Sequence, residues 1–409
     1  MIDGQVISAD DKSARRSPRR GLRAVVVMVS ALIVIPSAIL TLGTFVPGIP
    51  YLGAMASLSW PTVIGPALLF VGFGTLLALI AYRMGSRRPA LVLAAVGAIA
   101  LLGTSIVFGN QAVIAAQVGV PVTPAVFGAP LKTAVPDETV TYMTDGTGTQ
   151  LAVDVYRPDT DSKLPASGAP IVMYVHGGGW IGGDAREVSP DLRWFADQGY
   201  LVLSAAYSIA TPSNPTWDQA MPQIGCALIW AAEHASEYGA DEERIAIWGS
   251  SAGANIAVTT VYAAASGKLE AACDGTIPSV SAVGGEVPAL DPAFIYDNPD
   301  PLMGPATRNM VATYIGGSVE EYPERLEAIQ AATYISADAP PTLLTVSVND
   351  HLVPVESVKR FVEQAEAQGV EIAALYRPWA DHAISSGFGY LPNQTMIHML
   401  LDHFRKHGV

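Results

Sequence analysis

The first quarter of the chain is apolar in long unbroken runs. Three runs contain no charged residue at all, namely residues 24–46, 61–82 and 89–108. A helix needs about 20 residues to cross the hydrocarbon core of a bilayer. Buried core helices are seldom so long and uncharged, and three in succession favour membrane spans. We predict three transmembrane helices within residues 24–109.

The rest of the chain alternates short apolar runs with helical periodicity. A hairpin is predicted around the Asp145-Gly146 turn, formed by residues 139–143 and 150–156. Further strands are predicted at residues 171–175, 201–206, 244–248, 279–283, 342–348 and 372–376, and helices at 218–238, 252–265, 355–368 and 393–407. Such alternation indicates an α/β fold with a mostly parallel sheet that helices cover on both faces.

These patterns divide the chain into segments. We predict a basic tail at residues 1–23, the membrane segment at 24–109, a linker at 110–135 and one α/β domain at 136–409. Residues 288–333 interrupt the alternation with prolines and acidic residues. We therefore predict an insertion there that forms a cap over the site.

Composition supports a membrane segment. Only 15% of the 409 residues are charged and the mean hydropathy is +0.33, whereas soluble proteins carry about 25% charged residues. Residues 1–109 hold nine lysines and arginines against three acidic residues, and the remainder holds 14 against 34. The front is basic and the rear is acidic.

The arginines predict the orientation. They precede the first run and separate the second from the third, as Arg15, Arg16, Arg19, Arg20, Arg23, Arg83, Arg87 and Arg88, whereas residues 47–60 contain no lysine or arginine. Basic loops stay in the cytoplasm, so three spans place the α/β domain outside it. A cleaved signal peptide ending near Ala54-Met55-Ala56 is the alternative. The first run exceeds the 7–15 apolar residues of a signal peptide, which favours an anchor.

Charge and cysteine content exclude other classes. A net charge of −14 argues against a nucleic-acid partner held through phosphate contacts. Two cysteines make neither a metal cluster nor a disulfide framework, and we predict no metal and no cofactor. Cys226 and Cys273 either pair or remain buried thiols.

The strongest chemical signal is Gly249-Ser250-Ser251-Ala252-Gly253, a G-x-S-x-G motif between a predicted strand and a predicted helix. A sharp strand-to-helix turn exposes its central serine, Ser251, and requires glycine on both sides. A plain turn serine is the alternative, but the strand-turn-helix context favours a nucleophile.

A second motif, His176-Gly177-Gly178-Gly179-Trp180, follows the predicted strand at 171–175. Consecutive glycines let backbone N–H groups approach a developing oxyanion closely. A flexible loop or a phosphate cradle are the alternatives, but the chain has neither a P-loop nor a G-x-G-x-x-G motif. We interpret His176 as structural.

A serine nucleophile needs a base and an orienting acid. Asp350 and His382 each follow a late strand, where sites in open α/β sheets form. Asp381 and Glu286 remain alternative acids. His234, His351, His398, His403 and His407 are alternative bases with less suitable positions. Tyr207, Trp217 and Trp379 either line an acyl pocket or belong to the core.

Together the two motifs resemble the α/β-hydrolase superfamily, in its hormone-sensitive-lipase-like and acetyl-esterase-like group, over residues 139–409. The resemblance implies an α/β-hydrolase fold with Ser251 as nucleophile, Asp350 as acid and His382 as base. It further implies an oxyanion hole formed by the N–H groups of Gly177, Gly178 and Ala252. The chain departs from that group at Ser250, where an aspartate is common, and at Ala254, where a glycine is common.

The sequence therefore predicts a membrane-anchored serine esterase or lipase that acts on a small-molecule or lipid ester outside the cytoplasm. Two alternatives remain open. One is an acyltransferase or deacetylase that acts on a cell-envelope lipid or glycan with the same residues. The other is a non-catalytic hydrolase-fold module that binds a ligand or partner.

Overall fold

The computed structural model describes residues 18–159, 165 and 167–409. Residues 1–17, which hold most of the predicted basic tail, lie outside the described residues. The chain forms two compact units. The first comprises the chain up to Ile39 together with Ala67–Ser105, and the second comprises Leu40–Pro66 and Ile106–Val409.

Among the described residues, four α-helices precede the sheet: α1 (Pro18–Phe45), α2 (Leu52–Ser59), α3 (Ile64–Arg83) and α4 (Arg87–Gln117). α1, α3 and α4 are long and apolar enough to cross a membrane, which confirms the prediction of three such helices. Leu32, Ile99 and Leu102 on them are 64–72% exposed. The short helix α2 lies in the connection between α1 and α3, and the sequence pattern did not predict it.

The second unit contains one eight-stranded sheet in the order β1-β2-β4-β3-β5-β6-β7-β8. Its strands are β1 (Glu138–Thr144), β2 (Gln150–Tyr156), β3 (Ala169–Val175), β4 (Leu201–Ala205), β5 (Ala240–Ser250), β6 (Ala282–Glu286), β7 (Thr342–Ser347) and β8 (Ile372–Arg377). Strand β2 is antiparallel to both of its neighbours, and all other pairs are parallel. This is the predicted α/β-hydrolase arrangement.

Helices cover both faces of this sheet. They are α5 (Ser189–Asp197), α6 (Ala220–His234), α7 (Ala252–Ala265), α8 (Pro292–Tyr296), α9 (Gly304–Ile315), α10 (Pro323–Ile329), α11 (Val355–Ala367) and α12 (Leu391–Lys406). Side chains alternate between faces along a strand. Ile171 and Met173 of β3 therefore join one buried apolar cluster, and Val172 and Tyr174 join the other.

Three local results refine the sequence interpretation. The segment 288–333 contains α8, α9 and α10 between β6 and β7. Cys226 of α6 forms a disulfide with Cys273, so the pairing left open by the sequence is present. Strand β6 ends at Glu286, three residues later than the pattern indicated, and this brings Glu286 to the carboxyl edge of the sheet.

Candidate active site

Ser251 lies on the turn between β5 and α7, with φ 55° and ψ −120°. A positive φ is strained for a serine. The turn is so tight that a Cβ on Gly249 would lie 2.4 Å from the Gly253 carbonyl oxygen, and one on Gly253 would lie 2.2 Å from the Val175 carbonyl oxygen. Both glycines of the motif are therefore required by close backbone contact.

His382 and Asp350 meet at this serine. His382 follows β8, and its Nε2 lies 2.9 Å from Ser251 Oγ. Asp350 follows β7, and its Oδ2 lies 2.8 Å from His382 Nδ1. Oδ1 of Asp350 accepts hydrogen bonds from the backbone N–H groups of Leu352 at 2.9 Å and Val353 at 2.7 Å. The structure thus brings together the three side chains that the sequence singled out.

The surroundings of His382 raise its affinity for a proton. Burial by itself lowers the pKa of His382, but the charge of Asp350, the hydrogen bond to it and the charges of Asp381 and Glu286 together outweigh burial, so the pKa is raised above 6.5. Such an imidazole accepts a proton more readily than a free histidine. The geometry can therefore move a proton from the serine to the imidazole.

Asp381, one alternative acid, bonds to a different histidine. Its Oδ2 lies 2.6 Å from Nδ1 of His351 and accepts a hydrogen bond from Ser57 Oγ of α2 at 2.6 Å. Its Oδ1 accepts from the backbone N–H groups of His382 at 2.7 Å and His351 at 3.1 Å. The side chain of Asp381 is fully buried. It supports the His382 loop through the backbone N–H of His382, whereas the imidazole nitrogens of His382 face Asp350 and Ser251.

The remaining alternative bases are bound elsewhere. Nδ1 of His234 lies 2.9 Å from the Trp230 carbonyl oxygen, and Nδ1 of His398 lies 2.8 Å from that of Gln394. His403 Nε2 lies 3.2 Å from the Pro341 carbonyl oxygen. His407 Nε2 lies 3.6 Å from Glu371 Oε1. These partners place all four away from Ser251.

The glycine loop requires a correction. The N–H of Gly177 donates to Glu187 Oε1 at 2.7 Å, and an amide has a single hydrogen. Gly177 therefore does not present a free donor to an oxyanion, contrary to the role implied by the resemblance. Within the described part of the chain, the N–H groups of Gly178, Gly179 and Ala252 donate to no protein acceptor.

His176 supports this loop. Its ring stacks on Tyr207 with centroids 4.3 Å apart, and its Nδ1 lies 2.8 Å from the Gly177 carbonyl oxygen. Burial lowers the pKa of His176. These contacts support the structural role that the sequence suggested.

A cavity of about 380 Å³ opens beside Ser251 and His382. Three carboxylates contribute to its lining, namely Glu187, Asp191 and Glu286. Burial raises the pKa of both Asp191 and Glu286. The described lining residues include no lysine or arginine.

Sequence reasoning missed much of this cavity. Glu187 lies just before α5 and Asp191 lies within it, and the sequence pattern predicted no helix there. Met310 reaches the cavity from α9 of the inserted segment. Glu286 was considered only as an alternative acid. Tyr207, Trp217 and Trp379 are not among the described lining residues.

Comparisons with known proteins find ester hydrolases among the relatives of this chain. Probable carboxylic ester hydrolase LipM of Mycobacterium tuberculosis is 30% identical over 237 residues, covering 56% of this chain and 52% of LipM. Human hormone-sensitive lipase is 29% identical over 154 residues, covering 37% of this chain and 14% of the lipase. The chain spans about half the length of the first curated relatives it matches.

A solved structure shares the fold. Propionate-bound esterase 2 of Thermogutta terrifontis superposes with a TM-score of 0.54 at 24% identity, covering 66% of this chain and 94% of the esterase. The family model described as BD-FAE matches residues 153–364, more than half of the chain. The chain therefore belongs to the BD-FAE family, within the α/β-hydrolase, hormone-sensitive-lipase-like esterases.

Proposed function

We propose that this chain hydrolyses carboxylic esters through an acyl-enzyme intermediate on Ser251. The observation that carries the proposal is the continuous contact from Ser251 Oγ to His382 Nε2 and from His382 Nδ1 to Asp350 Oδ2. This is the arrangement that activates a serine for attack on a carbonyl carbon. The names of the curated relatives support ester hydrolysis.

The reaction has two steps. Ser251 Oγ attacks the ester carbonyl carbon while His382 takes its proton, and the resulting imidazolium donates that proton to the leaving alcohol. Water then attacks the acyl-enzyme, with His382 again as base, and releases the carboxylic acid and the free serine. Asp350 orients His382 and stabilises the imidazolium throughout.

The oxyanion of each tetrahedral intermediate needs donors close to Ser251. Ala252 is the first residue of α7, so its N–H group lies at the helix N-terminus, where the helix dipole favours negative charge. The N–H groups of Gly178 and Gly179 belong to the glycine loop that lines the same cavity. We assign the oxyanion hole to these three amides, each of which contributes roughly 3 kcal/mol to transition-state stabilisation.

The lining of the cavity bears on the substrate. Its described residues include three carboxylates and no lysine or arginine, so an anionic group of a substrate would meet no cationic side chain there. We therefore propose a substrate that is uncharged or cationic near the scissile ester. Neutral p-nitrophenyl butyrate is expected to show a kcat/KM at least about tenfold above that of the anionic p-nitrophenyl hemisuccinate. Equal rates for both esters in the wild type would contradict the proposal.

We also propose that α1, α3 and α4 anchor the protein in a membrane with the α/β domain outside the cytoplasm. Arg20 and Arg23 at the start of α1, and the arginines between α3 and α4, support this orientation. The Cys226–Cys273 disulfide supports it independently, because disulfides persist in oxidising compartments.

Ester hydrolysis by the detergent-solubilised full chain tests the proposed reaction. We expect turnover of p-nitrophenyl esters within the C2–C16 series, and a loss of roughly 10⁴-fold or more in Ser251→Ala. Ser250→Ala is the matched control and should retain the wild-type order of magnitude. A folded wild type without activity would favour a binding module, and an acyl acceptor that outcompetes water would favour an acyltransferase.

A further inference from the structure

The helix α2 packs beside the loop that carries His382. Three contacts join residues 45–62 to residues 379–383, here called the base loop. The Phe45 and Trp379 rings lie 5.4 Å apart between centroids. Ser57 Oγ donates to Asp381 Oδ2 at 2.6 Å, and Thr62 Oγ1 lies 3.1 Å from the Ala383 carbonyl oxygen.

The base loop is strained and depends on its surroundings. Trp379 has φ 59°, an unfavourable conformation for a bulky side chain. Such a conformation persists only where neighbouring contacts hold it. Asp381 and His382 follow within three residues, so contacts that hold the loop also set the position of the imidazole.

The carboxylate of Asp381 links the Ser57 hydroxyl to the backbone N–H of His382. The hydroxyl donates to Oδ2 of Asp381, and Oδ1 of the same carboxylate accepts the backbone N–H of His382 at 2.7 Å. The hydroxyl also lies 2.7 Å from the Gly53 carbonyl oxygen. It has one hydrogen, and the charged carboxylate is the stronger acceptor. Ser57 and Asp381 are fully buried, so solvent does not compete for this hydrogen bond.

We propose that Ser57 is a positioning residue for His382, and that α2, between two candidate membrane helices, completes the active site of the catalytic unit. This inference rests on the proposed ester hydrolysis. Without the Ser57 hydroxyl, Asp381 loses one of four hydrogen-bond donors, and the base loop gains freedom to move. A displacement of about 1 Å in a reacting group costs up to roughly 100-fold in rate.

The test compares serine variants on the same helix. Ser57→Ala in the full chain is expected to lower kcat about 10-fold to 100-fold on p-nitrophenyl butyrate, with KM changed less than about twofold. Ser59→Ala is the matched control, because the exposed Ser59 hydroxyl donates to the Met55 carbonyl oxygen of its own helix and, among the described residues, makes no contact with the base loop. It should keep the wild-type kcat.

Thr62→Val provides a second, isosteric variant should Ser57→Ala fail to fold. It removes the hydroxyl near Ala383 and is expected to lower kcat a few-fold, again with little change in KM. Wild-type kcat in both folded variants, an effect on KM alone, or an equal loss in Ser59→Ala would overturn the positioning role. Absence of turnover in the wild type would instead overturn the proposed hydrolysis, so the two failures are distinguishable.

Discussion

Two histidine–aspartate pairs lie side by side in this protein, formed from the same two loops. Asp350 and His351 are adjacent in the chain, as are Asp381 and His382, but the pairs cross. Asp350 bonds to His382 at 2.8 Å and Asp381 bonds to His351 at 2.6 Å. In both pairs the aspartate contacts Nδ1, so the pairs differ in what faces Nε2.

The partner of Nε2 decides what each imidazole can do. Nε2 of His382 faces the Ser251 hydroxyl, which can both donate and accept. Nε2 of His351 faces the Pro47 carbonyl oxygen at 3.4 Å, which can only accept. Both nitrogens of His351 therefore point at acceptors and favour the imidazolium. The hydrogen bond to Asp381 raises the pKa of His351 to about 9. A charged imidazole has no lone pair to take a proton, so pairing with an aspartate does not by itself make a base.

The largest expected effect separates the two histidines. His382→Ala should reduce kcat by roughly 10⁴-fold to 10⁶-fold, because it removes the group that accepts the serine proton. His351→Ala should reduce kcat by no more than about 100-fold, since it only loosens Asp381. Steady-state hydrolysis of p-nitrophenyl butyrate by both variants measures the difference. Similar losses in the two variants would break the comparison.

Substitution of Asp350 should likewise lower kcat more than substitution of Asp381. Asp350→Asn is expected to lower kcat about 10⁴-fold, because an amide favours the wrong tautomer of His382. Asp381→Asn keeps a carbonyl oxygen for the two backbone N–H groups and should cost about 10-fold to 100-fold. Kinetics of both variants, with unfolding temperatures to confirm folding, test this order. A greater loss in Asp381→Asn would reassign the acid.

The smallest expected effect concerns stability and pH. Because the folded-state pKa of His351 is raised, its pairing with Asp381 stabilises the protein fully below about pH 6.5, and this stabilisation is lost as pH rises through about 9. The unfolding temperature should fall by roughly 2–4 °C over that interval for each kcal/mol lost. His351→Gln is the control, and its unfolding temperature should lack that part of the decrease. Parallel curves for wild type and variant would contradict the assignment.

The fold and the proposed triad could be predicted from local patterns in the sequence. Uncharged runs, strand–helix alternation and the strand-to-helix serine motif depend on neighbours in sequence, so they predicted the apolar helices, the sheet and Ser251. Asp350 and His382 followed because parallel strands end at one edge of a sheet.

Long-range contacts could not be predicted in this way. The carboxylate of Glu187 accepts a hydrogen bond from the N–H of Gly177, ten residues earlier in the chain. No rule of sequence spacing predicts that hydrogen bond. Ser57 and Asp381 are 324 residues apart in sequence. The short helix that carries Ser57 lies in a segment whose sequence indicated a connection between two spans or a cleavage site, but no role in the active site. Both contacts depend on tertiary packing.

Covalent labelling of the full chain with a fluorophosphonate, located by peptide mass spectrometry, tests the central claim most directly. A serine activated by the proposed triad should give one adduct, on Ser251, in the wild type and in His351→Ala. In His382→Ala the labelling rate should fall by orders of magnitude, because the base is missing. An adduct on another residue, or labelling of His382→Ala at the wild-type rate, would contradict the assignment of Ser251, His382 and Asp350 as the reacting group.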